Sequence, residues 1–291
     1  MSAALKLDEL LYDSLESLSL PDVYIRLREV MESDEASMAD AAEVISLDPA
    51  LSARVLRMAN SAFYGFRSQV DTITRATNIL GMQKIHDLVL AASVTKAFNG
   101  ISNELMDMDT FWYRSVHAGF LAQALGEGAG MRNTESLFVR GLLHDIGHLV
   151  LFSRYPQECR QALALAGEGL DARLYEEQQL IGIDAMQFAA ELARVWQLPK
   201  SFVDSFQHLM RPEDAVGGLA REVAMLHLAV QFSNAVDTDL LIEDVVQRVR
   251  ASVWRIAELP PEVGAAALDT SSVEMMDAMY NVIAQHDGMM P

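Results

Sequence analysis

The sequence predicts an all-α protein, and three observations lead to this fold class. Apolar residues recur at intervals of three and four along most of the 291 residues, which is the period of an amphipathic helix. Capping residues precede several of these segments, and glycine or proline follows them. No segment shows the sustained alternation of apolar and polar residues that is typical of a half-buried strand.

Start signals for helices are clearest near the N-terminus. Pro21 fits the first position of a helix whose apolar residues then recur at helical spacing. Ser37 followed by Asp40 resembles a capping box for a helix through Ile45. Asp48-Pro49 combines an N-cap with a first helical residue, so a further helix should begin there.

Glycines supply the stop signals of the same region. We expect the helix after Asp48 to run into the segment ANSAFYG and to end at Gly65. Gly81 should end a helix over Ile73–Leu80, and another helix should run from Met82 towards Phe98. A helix, a short glycine turn and a second helix can also form a DNA-reading unit, but the charge of the chain argues against that reading.

The remaining helices follow a polar segment, residues 101–109, that is typical of a seam between two lobes. Gly167, Gly169, Pro199, Pro212 and Pro260-Pro261 punctuate this half of the chain. The apolar period predicts helices over Phe111–Leu125, Ser136–Phe152, Leu174–Trp196, Ser201–Met210, Ala215–Val236, Ile242–Ala257 and Ser272–Gln285.

Composition excludes several classes of function. The net charge is −19, from 22 Lys and Arg against 41 Asp and Glu, and a chain this acidic repels nucleic-acid phosphates. The apolar runs are too short to span a bilayer, and no leader segment opens the chain. A single cysteine, Cys159, forms no intramolecular disulfide. We therefore expect a cytoplasmic protein; the acidic residues provide solubility or, alternatively, attract a basic protein partner.

The stretch GLLHDIGHLVLF, residues 141–152, carries the main chemical signal. It places the adjacent pair His144 and Asp145 in an apolar helix, and His117 lies on the preceding predicted helix. Two imidazoles and a carboxylate suit zinc, iron, manganese or magnesium, and such a metal would turn a bound water into a nucleophile. Buried histidines on apolar faces are also common without any metal, so a structural role stays open.

Longer motifs resemble a known family. The segments ISLDPALSARVLRMANSAFYG and TITRATNILGMQKIHDLVLAASV are similar to the N-terminal helical lobe of the HDOD family, the HD-related output domains of bacterial signalling. His117 and LLHDIG resemble the related HD superfamily of metal-dependent phosphohydrolases. The similarity runs from about Leu18 to Pro212. It implies an all-helical regulatory module that has lost catalysis and works with other signalling proteins.

This resemblance also implies a division of the chain. Residues 1–103 should form the N-terminal helical lobe, residues 104–215 an HD-like lobe, and residues 216–291 further helices that complete it.

Carried over onto this chain, the metal site of the HD superfamily is incomplete. His117, His144 and Asp145 match three of its ligands. Val230 stands where the fourth ligand, an aspartate, is expected, and the nearest acid of that segment is Asp237, about two helical turns further on.

Other positions depart from the hydrolase pattern as well. Ala185 replaces a histidine that relatives commonly carry, while His208 matches a later histidine of that set. His148 replaces a lysine that suits phosphate, and the GYP loop of the cyclic dinucleotide enzymes is missing. We expect Arg140, His148 and His208 to line any remaining pocket.

These departures favour a non-catalytic regulatory module that acts through protein–protein contact and needs no cofactor. In that reading, Asp145 hydrogen-bonds His117 or Arg140 in a structural network. One alternative is a metal-dependent phosphohydrolase acting on a nucleotide or cyclic dinucleotide, with His117, His144 and Asp145 holding zinc, iron, manganese or magnesium. Another is a small-molecule sensor that uses the old catalytic pocket.

Overall fold

The computed structural model describes residues 20–33, 35–61, 64–66, 68–98, 104–132, 134–167, 169–235 and 242–262. Within these ranges the regular elements are all helical, and no strand occurs, which confirms the predicted fold class. The helix expected over Ser272–Gln285 and the acid Asp237 lie outside the described residues.

Among the described residues, five helices belong to a first compact unit. They are α1 (Asp22–Glu32), α2 (Met38–Ser46), α3 (Pro49–Ala59), α4 (Ile73–Leu80) and α5 (Met82–Ala97). Ser37 and Asp40 form the predicted capping box, and the Asp48 carboxylate accepts a hydrogen bond from the Leu51 amide at 3.0 Å. Gly81 ends α4 with a φ of 83°, a conformation that favours glycine.

Helix α3 ends earlier than predicted, at Ala59 instead of Gly65. The cause is the next residue, Asn60, whose side-chain amide donates to the carbonyls of Leu56 and Val70 at 2.8 and 2.7 Å. Its side-chain oxygen accepts from the Val70 amide at 2.7 Å. Local asparagine bonds of this kind compete with the helical backbone, so the chain turns away at this point.

The second compact unit contains the remaining helices. They are α6 (Met108–Gly128), α7 (Glu135–Leu143), α8 (Ile146–Arg154), α9 (Pro156–Ala166), α10 (Leu170–Leu180), α11 (Ala185–Val195), α12 (Lys200–His208), α13 (Gly218–Ala235), α14 (Ile242–Arg248) and α15 (Ala251–Ala257), with a 3₁₀ turn at Pro212–Asp214. Helix α6 lies against α7 and α13. The predicted boundaries at residues 103 and 215 stay a prediction.

Several predicted helices of this unit are pairs of shorter ones. The helix expected over Ser136–Phe152 breaks between Leu143 and Ile146, at the His-Asp pair itself. The one expected over Leu174–Trp196 breaks at Gly182, whose φ is 94°, and Asp184 then caps α11. The one expected over Ile242–Ala257 breaks before α15. Helix α9, which begins at Pro156, was not predicted at all.

Two glycines set the positions of the helices around the His-Asp pair. A Cβ atom on Gly141 would lie 2.6 Å from the Cα of Gly119, so α7 touches the backbone of α6. A Cβ atom on Gly147 would overlap the carbonyl oxygen of Ala185, so α8 touches the start of α11. Glycine is the residue that permits such close helix contacts. The motif glycines therefore have a packing role.

Candidate functional site

His144 lies at the C-terminal end of α7 and is buried. Its Nδ1 lies 2.6 Å from the Gly141 carbonyl oxygen, and since a carbonyl can only accept, this contact assigns the ring proton to Nδ1. Burial lowers the pKa of His144, although the neighbouring Asp145 opposes the shift. The imidazole is therefore neutral near pH 7, with its Nε2 lone pair available.

Asp145, the second member of the pair, is bound by His148 one turn later. The Nδ1 of His148 donates to the Asp145 carboxylate in a short contact. Burial alone would raise the pKa of Asp145, but the positive charge of His148 and this hydrogen bond hold it well below its usual range. Asp145 is therefore ionised and engaged within the protein.

His148 itself is completely buried and has a second carboxylate beside it. Its Nε2 lies 3.1 Å from Oε1 of Glu177, which is also fully buried. Burial and nearby Arg173 lower the pKa of His148, but the two carboxylates outweigh them and raise it. The imidazole therefore favours its protonated form between Asp145 and Glu177.

Arg173 adds a further cation. Its Nε lies 3.6 Å from Oε1 of Glu177, and its Nη2 lies 2.9 Å from Nδ1 of His148. That Nδ1 cannot both donate to Asp145 and accept from Arg173, and we assign its proton to the carboxylate contact because a carboxylate only accepts. We call Asp145, His148, Arg173 and Glu177 the buried ion cluster. It contains two acidic side chains and two basic ones.

Glu177 also connects the cluster to the next helix. Its Oε2 accepts a hydrogen bond from the Ala185 amide at 3.0 Å, at the start of α11. Burial would raise the pKa of Glu177, but His148, Arg173 and this amide lower it. Glu177 is thus an ionised carboxylate that has partners from α8, α10 and α11.

These residues do not fit a bound metal ion. Among the described residues, no group of three or more His, Cys, Asp or Glu side chains is arranged to hold one. The oxygen donors nearest the motif, on Asp145 and Glu177, already have cationic partners. Val230 lies buried on α13 and supplies no ligand. His144, with its Nδ1 proton on a backbone carbonyl, has the tautomer that metal ligands commonly show.

His117 is buried on α6, two residues before the glycine that contacts α7. Its convergence with His144 and Asp145 stays a prediction.

Arg140 does not join the His-Asp pair. Its guanidinium donates to Ser205 Oγ at 2.9 Å, to Glu222 Oε2 at 2.7 Å and to the Ser136 carbonyl at 3.2 Å. All three guanidinium nitrogens therefore have partners. Within the described part of the chain, no hydrogen bond connects it to Asp145, so that version of the expected network is wrong.

His208 lies in yet another environment. It is half-buried at the C-terminal end of α12 and lines a surface cleft of about 810 Å³. Asp171, Tyr175 and Gln178 of α10 line the opposite wall. The expected pocket residues are thus distributed: His148 belongs to the ion cluster, Arg140 binds Glu222, and His208 borders the cleft.

Sequence reasoning missed Arg173 and Glu177. They lie four residues apart on α10, the spacing of a helical ion pair, in the polar segment ARLYEEQQL. Such a pair is usually solvent-exposed, yet Glu177 is fully buried. The available signal was that Glu177 lies three residues after Leu174, which places both on the same face of an amphipathic helix.

The all-helical fold and the His-Asp pair at a helix junction define a protein of the HD-like class. The family model of the HDOD domain matches residues 18–212, and the chain belongs to the HDOD family.

Solved structures agree with this assignment. A Shewanella amazonensis protein that carries the provisional name of phosphohydrolase is 29% identical, with a TM-score of 0.75 and coverage of 94% of this chain and 97% of its own. An HDOD domain protein of unknown function from Geobacter sulfurreducens is 22% identical, with a TM-score of 0.74 and coverage of 91% and 92%. A Marinobacter aquaeolei protein, provisionally named a signal transduction protein, is 21% identical, with a TM-score of 0.71 and coverage of 97% and 66%. The latter two likenesses concern the fold.

A sequence relative extends well beyond the matched region. An uncharacterised protein of Treponema pallidum is 22% identical over 217 residues, which span 73% of this chain and 42% of that protein. The chain thus matches less than half the length of this relative.

A membrane-spanning helix needs a long, apolar segment, and the described ranges contain none.

Proposed function

We propose that this chain is a non-catalytic HDOD regulatory module of bacterial signal transduction that acts in the cytoplasm through protein–protein contact. One observation carries the proposal: the carboxylate of Asp145, which a metal would need, is held by the buried cation His148. Membership of the HDOD family supports the same reading.

Hydrolysis at an HD site would need a bound metal with an open position for water. In this chain the site has lost an anionic ligand at Val230 and has gained two cations, His148 and Arg173, beside the remaining carboxylates. Each change opposes binding of a divalent cation, since like charges repel and a missing carboxylate removes attraction. A second-shell substitution alone commonly lowers metal affinity about 10- to 100-fold.

A phosphohydrolase is the second candidate function, and two observations favour it. His144 keeps its Nδ1 proton on a backbone carbonyl, which leaves a lone pair on Nε2 as in a metal-ligating histidine. The Shewanella protein with the provisional name of phosphohydrolase covers 94% of the chain. Zinc, iron, manganese or magnesium would be the metal in that case.

The two candidates are separated by metal content and turnover. The purified protein is loaded with manganese, iron or zinc, and its bound metal is measured by emission spectroscopy. Cyclic dinucleotides, mononucleotides and a generic phosphodiester are then assayed beside His144→Ala and Asp145→Ala. We expect well under one metal per chain and equal background rates for all three proteins. Turnover that both substitutions abolish would establish the hydrolase instead.

The protein-contact part needs a separate experiment. Wild-type protein and Asp145→Asn serve as baits in pull-downs from the native bacterium, followed by mass spectrometry. We expect both baits to retain the same signalling protein, because the contact surface does not require HD chemistry. A partner that binds reproducibly is then confirmed with purified components. Absence of any direct binding between purified components would contradict the proposal.

A further inference from the structure

The imidazole of His148 lies between the fully buried carboxylate of Glu177 and the partly buried carboxylate of Asp145, whose side chain is 19% exposed. Its Nδ1 donates to Asp145, and its Nε2 lies 3.1 Å from Glu177. No part of the ring is exposed to solvent. The ring therefore occupies a closed position with an anionic oxygen at each nitrogen, and the Arg173 guanidinium also lies 2.9 Å from its Nδ1.

The fully buried Glu177 carboxylate and the partly buried Asp145 carboxylate need positive charge beside them, because desolvation and mutual repulsion both oppose their ionisation. A hydrolytic HD site meets this requirement with metal ions. In this chain His148 supplies one positive charge, and Arg173, 3.6 Å from Glu177, supplies the other. The buried ion cluster is consequently neutral without a metal.

We propose that His148 and Arg173 take the place of a metal ion as a built-in cation, and that the position of the His148 ring is a latent binding site for a small cation. This inference rests on the proposed function in one respect, namely that the native site holds no metal. It goes further because it identifies what excludes the metal. It also predicts that the exclusion is reversible by substitution.

His148→Ala should uncover the site. The substitution removes the ring and one positive charge but leaves Asp145 and Glu177 with a cavity between them. A free imidazolium ion restores both the volume and the charge of the lost ring. Mn²⁺ restores charge and accepts carboxylate oxygens as ligands. Either cation should therefore bind the variant and stabilise it.

His227 provides a matched control. It is a buried histidine on α13 whose Nδ1 lies 2.9 Å from the Leu209 carbonyl oxygen, and the contacts described for its ring include no carboxylate. His227→Ala also removes a buried imidazole, but one whose described hydrogen bond is to a backbone carbonyl and on which Asp171 and Glu213 act only through their charge. If the site at His148 is specific for cations, the added cations should stabilise His148→Ala and not His227→Ala. If imidazole merely fills a cavity, both variants should be stabilised.

The experiment measures thermal unfolding of wild type, His148→Ala and His227→Ala at pH 6, with and without imidazole or MnCl₂. Direct Mn²⁺ binding is measured by electron paramagnetic resonance. We expect both variants to unfold at lower temperature, and only His148→Ala to recover with either cation. Its Mn²⁺ affinity should exceed that of wild type by about 10-fold or more. Adding Glu177→Gln to His148→Ala should abolish the recovery.

Several outcomes would overturn the inference. One is an equal response of His148→Ala and His227→Ala to the cations; another is recovery that survives Glu177→Gln. If His148→Ala does not fold, His148→Asn replaces it, because this smaller neutral side chain removes the ring and its charge but can still donate a hydrogen bond to Asp145. Folded His148→Asn without any gain in Mn²⁺ binding over wild type would then overturn it. Wild type that binds metal and hydrolyses a phosphodiester would instead refute the proposed function, so the two failures are distinguishable.

Discussion

Gly147, the glycine of the HDIG motif, offers a direct test of the described packing. Replacing it with alanine places a methyl group against the backbone of Ala185, overlapping its carbonyl oxygen and lying 2.8 Å from its carbonyl carbon. Both are backbone atoms at the start of α11, so no side-chain rotation can relieve the overlap. Helix α8 must move away from α11, and the ion cluster that joins these helices must adjust.

The expected cost follows from two opposing terms. Forcing an extra methyl group into a packed interior costs about 1–3 kcal/mol, and backbone overlap places this case at the upper end. Alanine in a helix interior is favoured over glycine by about 1 kcal/mol. The net loss is about 2 kcal/mol for Gly147→Ala. For a unit of this size that corresponds to a decrease of about 4–8 °C in the unfolding midpoint.

Differential scanning calorimetry of Gly147→Ala beside Gly218→Ala measures this effect. Gly218 begins α13, and a Cβ atom placed there meets no atom within 4 Å, so its substitution should be neutral or slightly stabilising. An unchanged midpoint for Gly147→Ala would refute the close contact between α8 and α11. A decrease that Gly218→Ala shares would point to a general effect of alanine instead.

Two further predictions concern charged pairs of the second unit. Arg140→Met should lower the free energy of unfolding, measured in urea, by about 3 kcal/mol, because it removes the buried partner of Ser205 and Glu222. Glu222→Gln keeps a hydrogen-bond acceptor for Arg140 and should lower the free energy of unfolding less. Equal decreases for the two variants would contradict the assigned bonds. Burial would raise the pKa of Glu213, but hydrogen bonds from Arg250 and Ser252 lower it to about 2. The stabilisation from this carboxylate should therefore be complete above the ordinary glutamate pKa of about 4.3 and be lost as the pH falls towards 2. A nuclear magnetic resonance titration in which Glu213 shows the ordinary glutamate midpoint would contradict this prediction.

Local capping signals were sufficient to predict much of the first unit. Ser37 and Asp48 cap α2 and α3 through bonds to residues three positions away, and Gly81 ends α4. Such signals depend on neighbouring residues alone, so the sequence displays them directly. The early end of α3 is different, because Asn60 reaches Val70 across a loop whose path the sequence does not specify.

The candidate site was predictable only in part for the same physical reason. His144 and Asp145 stand out in an apolar segment, whereas Glu177 becomes part of the site only through the approach of α10 to α8. Its burial depends on tertiary packing that the helical period does not encode. The break between α7 and α8 was hidden as well, since the apolar pattern continues through the junction.

The contact between His144 Nδ1 and the Gly141 carbonyl has a consequence for the motif itself. Carbonyls in the last turn of a helix lack the regular helical partner, and here the Gly141 carbonyl accepts from both the amide and the ring of His144. His144 thus serves as the C-terminal cap of α7, while Asp145 accepts a hydrogen bond from His148 at the beginning of α8. This capping role does not depend on a bound metal. The HD dipeptide therefore has a structural function as a helix terminator in addition to any chemistry at the site.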